Sequence, residues 1–375
     1  MPVVLTDPAS TDSSAPLCHH YFPHRTPNTG DALVARAIRC ALVKHFGPLR
    51  FVNFPANNRA GSANNDKPCG LQGENLARTN AQADLVVIGG SNLLEPWSRG
   101  RWAVSTDANS LKSLRPPVLL LGMGTGSDYG RRIPRPRQPA ASQMIALHRQ
   151  AFASAVRDQP TADALYRLGL GPQAAVVTGC PVTFLTPAPI TAVTDTNAPL
   201  HVSFPPPRIQ RTRRGRRYFH AAMAYIARLR DRGVPLLVTL HDARDVTPAQ
   251  EHVPKGVDIW FKDNPDELIA AFSQCRGVIG FRLHAALLGY ALGKPIVPVG
   301  LDWRGKGFIQ TFDLQHHSIG DAPRHLSGRL DMLTEQLLNN DPALLNTLTD
   351  RKATFSANFN SFLQNAAQTW HAERL

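Results

Sequence analysis

At 375 residues the chain is long enough for two ordinary domains, and with 43% hydrophobic against 18% charged residues it can build a core in each. No apolar run reaches the ~18 residues of a membrane span, no basic-then-apolar leader opens the N-terminus, and five scattered cysteines without a CxxC pair fit neither a disulfide framework nor a zinc site, so a cytoplasmic protein is expected. The net charge of +13, from 41 Lys and Arg against 28 Asp and Glu, calls for an anionic partner.

Residues 1–20 are polar and Pro/Ser-rich and read as an irregular N-terminal segment, with His19-His20 as solvated loop histidines. From Asp31 to Phe46 the stripe Leu33, Ala37, Ile38 and Leu42 predicts a helix, capped from the turn Asn28-Thr29-Gly30-Asp31. A short strand is predicted over Arg50–Phe54, and then a polar excursion over 55–80 with the length of a lid or loop. The runs DLVVIGG (Asp84–Gly90) and PVLLLG (Pro117–Gly122) have the continuous apolar character of buried parallel strands. Gln143–Val156 reads as a helix and Ala174–Thr178 as a strand ending at Gly179-Cys180-Pro181. Residues 186–200, rich in Pro, Thr and Ala, read as an interdomain linker.

The alternation then restarts. Strands are predicted at His201–Phe204, Pro235–Leu240, Val257–Phe261, Gly277–Phe281 and Pro295–Gly300. Helices fall between them at Tyr218–Arg230, Pro265–Ser273 and Leu283–Leu292, and the chain from Leu326 onward is helical in pattern. Two halves with one βα rhythm imply an α/β fold: two Rossmann-like domains with parallel sheets facing a cleft, GT-B-like. The expected division is 1–20 irregular, 21–185 first domain, 186–200 linker, 201–330 second domain and 331–375 a C-terminal helical segment.

Ligands of open parallel sheets bind outside the carboxyl ends of the strands. That rule selects Gly30-Asp31, Gly89-Gly90-Ser91-Asn92, Gly124 within Gly122-x-Gly124-x-Gly126, Arg157-Asp158, His241-Asp242, Arg282-Leu283-His284 and Asp302-Trp303-Arg304. The run VIGFRLHAALLGYALGKPIVPV (Val278–Val299) is the most informative. Its strand delivers Arg282 and His284 to the start of a helix, where backbone N–H groups and the dipole favour an anion. Arginine adds a bidentate grip on carboxylate or phosphate, and histidine moves protons near neutral pH. Gly122-x-Gly124-x-Gly126 is not a dinucleotide fingerprint, and neither His19-His20 nor His316-His317 has further ligands at metal spacing, so no metal is expected. Trp97 and Trp102, flanking Arg101, offer rings for a sugar or for packing. Two arginine clusters stand out: Arg131, Arg132, Arg135 and Arg137, then Arg208, Arg211, Arg213, Arg214, Arg216 and Arg217. Neither interleaves aromatics, so a solvated surface or a membrane-lipid contact is expected and nucleic acid is not.

Several of these motifs together resemble the polysaccharide pyruvyl transferase family. They are Arg282-Leu283-His284-Ala285 with its small-residue helix, Gly293-x-Pro295, and Asp302-x-Arg304 leading to Phe308. The first half is similar through Asn28-x-Gly30-Asp31, the strand Asp84–Gly90, Val156-Arg157-Asp158 and Leu168-Gly169, so the resemblance runs from about 28 to 315. It implies transfer of the enolpyruvyl-derived group of phosphoenolpyruvate onto two hydroxyls of a saccharide or lipid-linked saccharide, giving a cyclic ketal in cell-surface or exopolysaccharide biosynthesis. Phosphoenolpyruvate is then a co-substrate and no cofactor is implied. The expected place is the inner face of the cytoplasmic membrane, with acceptor on the first domain and donor on the second.

Carried over by position, His284 is the proton-transfer residue, and Arg157, Arg282, Leu283, Arg304 and Lys306 bind the donor. Asn28, Gly30, Gly90, Ser91, Asn92, Glu95, Gly124 and His241 are acceptor-side or cleft candidates. The base that takes the hydroxyl proton stays open between Asp31, Asp158 and Glu95. Two positions depart from the family's pattern: Arg304 stands where Lys is usual, and Gly179-Cys180-Pro181 where Gly-Asp-Pro is common, Cys180 reading as a small buried residue. Two other readings share the architecture: a GT-B glycosyltransferase using a nucleotide sugar, and a non-catalytic carbohydrate-binding relative.

Overall fold

The computed structural model describes residues 9–23, 26, 28–56, 69–94, 104–125, 135–320 and 326–374. By its internal contacts the chain divides into two compact units, each discontinuous in sequence. The first holds Thr6–Thr26, Asp31–Pro181 and Phe355–Leu375. The second holds Val182–Thr354 together with Pro27–Gly30.

The first unit runs β1 (Leu17–Phe22), α1 (Thr29–Phe46), β2 (Arg50–Pro55), α2 (Gly73–Gln82), β3 (Leu85–Gly89) and α3 (Ala108–Ser113). It continues with β4 (Val118–Met123), α4 (Ala140–Gln150), β5 (Ala153–Val156), α5 (Gln159–Arg167) and β6 (Val176–Val177). Thr29 and Gly30, at the start of α1, belong to the second unit. The strands form one parallel sheet in the order β2-β1-β3-β4-β5-β6. Its strand order reverses between β1 and β3, the switch point of a doubly wound sheet. β3 and β4 are buried along their whole length, as their unbroken apolar sequences require of strands covered on both faces.

The second unit runs β7 (Leu200–Ser203), α6 (Arg213–Asp231), β8 (Leu236–Thr239), α7 (Val246–His252), β9 (Asp258–Trp260) and α8 (Pro265–Ser273). Then come β10 (Gly277–Gly280), α9 (Leu283–Ala291), β11 (Ile296–Pro298), α10 (Trp303–Thr311), α11 (Leu326–Leu338) and α12 (Pro342–Ala372). Beyond Thr354, α12 belongs to the first unit. Again all pairs are parallel, in the order β11-β10-β7-β8-β9, with the reversal between β7 and β10. No helix among the described residues is long and apolar enough to cross a membrane.

Five expectations are corrected. Residues 1–20 are not wholly irregular, because Leu17–Phe22 is the strand between β2 and β3. Its two histidines are core residues rather than solvated ones: His19 Nδ1 lies 2.9 Å from Thr79 Oγ1, and both rings pack on phenylalanines, Phe54 and Phe22. The predicted helix over Gln143–Val156 stops at Gln150, and Ala153–Val156 is instead β5, paired to β4 and β6. Within the polar stretch 55–80, Gly73–Gln82 is helical, while residues 57–68 lie outside the described ones.

The fifth correction concerns 186–200, which is packed on the second unit rather than strung as a linker. Thr186 Oγ1 donates to Ala291 O (2.5 Å), Thr191 N to Gly293 O (3.0 Å) and Val193 N to Asn340 Oδ1 (3.0 Å). Lys352, from α12, reaches with its ammonium to Ala188 O (2.5 Å) and Ala291 O (2.8 Å), closing the carbonyl end of α9. Burial pulls its pKa down to about 8.

Candidate functional site

The second unit gathers its chemistry at the reversal between β7 and β10. β10 is buried throughout and ends one residue before Phe281. Arg282 follows at the N-cap position of α9, its backbone N donating to Ser203 Oγ of β7 (2.9 Å). Its guanidinium donates through Nε to Phe204 O (3.3 Å) and through Nη2 to the Asp245 carboxylate. The pair is nearly out of water, with side chains 12% and 5% exposed. His284, 8% exposed, lies in the first turn of α9 with its ring over Gly30. A Cβ on Gly30 would come 1.9 Å from His284 Nδ1, so only glycine fits beneath that ring.

Gly30 is held there by its neighbours. Asn28 forms an antiparallel bridge with Asp242, Thr29 N donates to His241 O (3.0 Å), and Thr29 Oγ1 donates to Lys262 O (3.2 Å). Asn28 Oδ1 accepts from Gly30 N (3.0 Å). Asn28, Gly30, His241, Arg282, Leu283 and His284 thus converge, although the first two stand more than two hundred positions away in sequence. Burial, with Arg282 and His201 nearby, pushes the His241 pKa down to about 3, so its ring is neutral. Burial raises Asp245 to about 6 even though Arg282 pulls it down. Burial also opposes ionisation of Asp242, but the hydrogen bonds and charge of Arg244 outweigh it and hold that carboxyl below its usual range.

One strand over, β11 leads to Asp302, which caps α10 by accepting from Arg304 N (3.0 Å) and Gly305 N (3.1 Å). The Arg304 guanidinium folds back on the same carboxylate, and Lys306 Nζ stands 5.4 Å over the Trp303 ring. Along the first turns of α6, Arg213, Arg216 and Arg217 are exposed, with Arg211 just before them. No acidic residue occurs from His201 to Arg230 to offset them, and they crowd the positive end of a helix dipole.

The first unit builds a different edge. Gly90 (φ 79°) and Ser91 (φ 55°) turn left-handed after β3, Gly90 N donating to Leu121 O (3.1 Å) and Ser91 O accepting from Gly124 N (2.9 Å). Arg157, directly after β5, donates through Nε to Asp158 Oδ2 (2.8 Å), and through Nη2 to Asn92 Oδ1 (3.2 Å) and Thr125 O (3.3 Å). Its guanidinium lies over Gly124, where a Cβ would come 2.2 Å from Cζ. Asp158 also caps α5, accepting from Thr161 N (3.0 Å) and Thr161 Oγ1 (2.5 Å). Arg157 and Asp158 are 5% and 1% exposed and tie the ends of β3, β4 and β5 together. Asp31, nearly buried in the first turn of α1, accepts from Thr26 Oγ1 (2.9 Å), and Cys180 is buried.

Glu95, Trp97, Arg101, Trp102, Gly126, Arg131 and Arg132 lie outside the described residues. Among the described residues no three or more His, Cys, Asp or Glu side chains gather as a metal site. Sequence reasoning stopped at His241-Asp242 and missed Asp245, Ser203 and Thr29. Asp245 had a signal, a second carboxylate three residues further along the same strand-end turn.

Residues 28–302 match the family described as polysaccharide pyruvyl transferase. No curated protein matches the chain. Among solved structures it is similar to a UDP-GlcNAc 2-epimerase from Neisseria meningitidis bound to UDP-GlcNAc, at 10% identity and a TM-score of 0.54, over 94% of this chain and 99% of that one. It is also similar to S. aureus MnaA in a co-structure with UDP, at 13% identity and a TM-score of 0.51, over 89% and 90%. These likenesses show the fold: α/β and GT-B-like in its make-up of two Rossmann-like units.

Proposed function

Because the chain belongs to the polysaccharide pyruvyl transferase family, we propose that it moves the enolpyruvyl-derived group of phosphoenolpyruvate onto two hydroxyls of a saccharide, with the Arg282–His284 edge as donor site. The observation that carries this reading is the placement of Arg282 and His284 together at the start of α9, on the switch point of the second sheet. Arg282 and the amides of that turn hold the donor's anionic groups, and Arg304 and Lys306 add positive charge one strand away. His284 delivers a proton to the methylene carbon, which becomes the methyl group, while one sugar hydroxyl adds to the neighbouring carbon. The second hydroxyl then displaces phosphate from that carbon and closes the ketal. A carboxylate takes the hydroxyl protons, with Asp31, Asp158 and Glu95 as the candidates. No resident cofactor takes part.

Arg157 is given a bracing role, because its guanidinium already serves three interior partners. The exposed arginines of α6 fit an anionic, lipid-linked acceptor at the cytoplasmic membrane face. The test is release of inorganic phosphate from phosphoenolpyruvate, with and without a panel of saccharide acceptors. Release that requires an acceptor and gives a product heavier by the pyruvate ketal supports the reading. Turnover of a nucleotide sugar instead, with phosphoenolpyruvate untouched, sinks it.

A further inference from the structure

Arg282 is not an idle cation. It is paired with Asp245, a carboxylate from the turn after β8, and both side chains are almost fully withdrawn from water. A substrate anion that takes the guanidinium must therefore compete with a carboxylate already there. We propose that Asp245 is the resident counter-anion of Arg282, and that a substrate anion binds by replacing it, with uptake of one proton by Asp245. This rests on the reading of Arg282 as the donor-binding residue.

The surroundings make the proton necessary. The charged groups facing Asp245 are Arg282 from the β10–α9 junction, and Asp242 and Arg244 from its own turn. Arg244 is already engaged with Asp242, through Nε at 2.8 Å and Nη2 at 2.5 Å. Asp242 repels an ionised Asp245, and His241, at the head of the turn, is neutral. A carboxylate this buried, stripped of its arginine and facing a like charge, is far more stable protonated. Burial has already raised it to about 6, so the proton is within reach near neutral pH. The consequence is a site that keeps its arginine ion-paired and frees the guanidinium for the incoming anion.

The test compares phosphoenolpyruvate affinity in the parent and in Asp245→Asn from pH 5 to pH 8, by calorimetry. The donor's own titration cancels in the ratio of the two dissociation constants. If an ionised Asp245 excludes the anion, the parent should bind about as well as the variant at pH 5, roughly tenfold more weakly at pH 7, and more weakly still at pH 8. A flat ratio would mean that Asp245 is a structural brace; it overturns the coupling and leaves the proposed function standing. Failure of both proteins to bind phosphoenolpyruvate at every pH overturns the function and the coupling with it. Should the variant not fold, the parent alone decides by calorimetry at pH 7.5 in buffers of different ionisation enthalpy, above the phosphate's own titration range. About one proton taken up per donor bound supports the coupling, and none taken up overturns it.

Discussion

The Arg157 edge of the first unit and the Arg282 edge of the second start from the same parts: an arginine at a strand's carboxyl end, an aspartate partner, and a glycine with no room for a Cβ. They use those parts differently. Arg157 pairs with its own neighbour, which also caps the next helix, and its remaining bonds go to the loops after β3 and β4. Arg282 pairs with an aspartate from another strand's turn, and the tight glycine lies beneath His284 rather than beneath the arginine. An arginine closed on its own neighbours braces, whereas one held by a remote counter-ion at a helix start can exchange it. Residue types alone do not separate the two, but the origin of the partner does.

The largest expected effect tests whether His284 is the reacting group of the pair of edges. His284→Ala should lower kcat by 10²–10⁴-fold in steady-state assays, the range for a lost general acid, with the KM for the donor little changed. A loss below tenfold would remove His284 from the chemistry. Next comes the brace. Arg157→Ala leaves Asp158 buried without its cation and should cost about 3–5 kcal/mol in urea unfolding. Arg282→Ala leaves a carboxylate already raised to about 6, which can shed its charge by taking a proton, so it should cost less than Arg157→Ala at pH 6. Equal losses would mean that the two ion pairs do not differ in role.

The two glycines sharpen the contrast. Gly30→Ala pushes the His284 ring aside and should lower kcat by about a hundredfold, since a misplacement near 1 Å is enough. The buried ring must shift to admit the Cβ, so the melting temperature should fall as well. Gly124→Ala pushes on Arg157 instead and should appear as about 1–3 kcal/mol of lost stability.

The mildest test is acid titration. His19 and His148 in the first unit and His201 in the second are lowered to about 4 by burial, and His241 to about 3. Their folded pKa values lie below the ordinary 6.5, so the unfolded chain binds more protons between those limits. Stability is therefore fully present above pH 6.5 and falls as the pH drops toward 4, by up to about 1.4 kcal/mol per pH unit for each group. Asp245, raised to about 6, acts in the opposite sense between pH 6 and 3.8. His148→Gln should flatten the acid limb by one such slope. An unchanged limb in that variant would show that His148 is not a neutral buried group.

Much of the frame was legible because apolar strands declare themselves. DLVVIGG and PVLLLG are buried on both faces, and the run from Val278 to Val299 carries strand, helix and strand in one reading. β1 was hidden because LCHHYF contains two histidines that look wet, yet both are buried and ring-packed. β5 was hidden because Ala-Ser-Ala continues a helical pattern until sheet pairing claims it. At the site, Arg282 and His284 announced themselves beside a helix start. Asp245 left only the weak signal of a second carboxylate in the strand-end turn, because its partner is a guanidinium thirty-seven positions away. The part played by Asn28-Thr29-Gly30 was likewise invisible, since it arises from a bridge to Asp242 that no local pattern encodes.

If the Arg282 edge and not the Arg157 edge binds the donor, the two arginines must differ in what their replacement does to phosphoenolpyruvate affinity. Calorimetric titration of phosphoenolpyruvate into the parent, Arg282→Lys and Arg157→Lys tests it most directly. Arg282→Lys should bind at least tenfold more weakly, because a point charge cannot replace a bidentate grip, and Arg157→Lys should bind as the parent does. Undiminished binding by Arg282→Lys, with weakening in folded Arg157→Lys, would contradict the account and move the donor to the first unit.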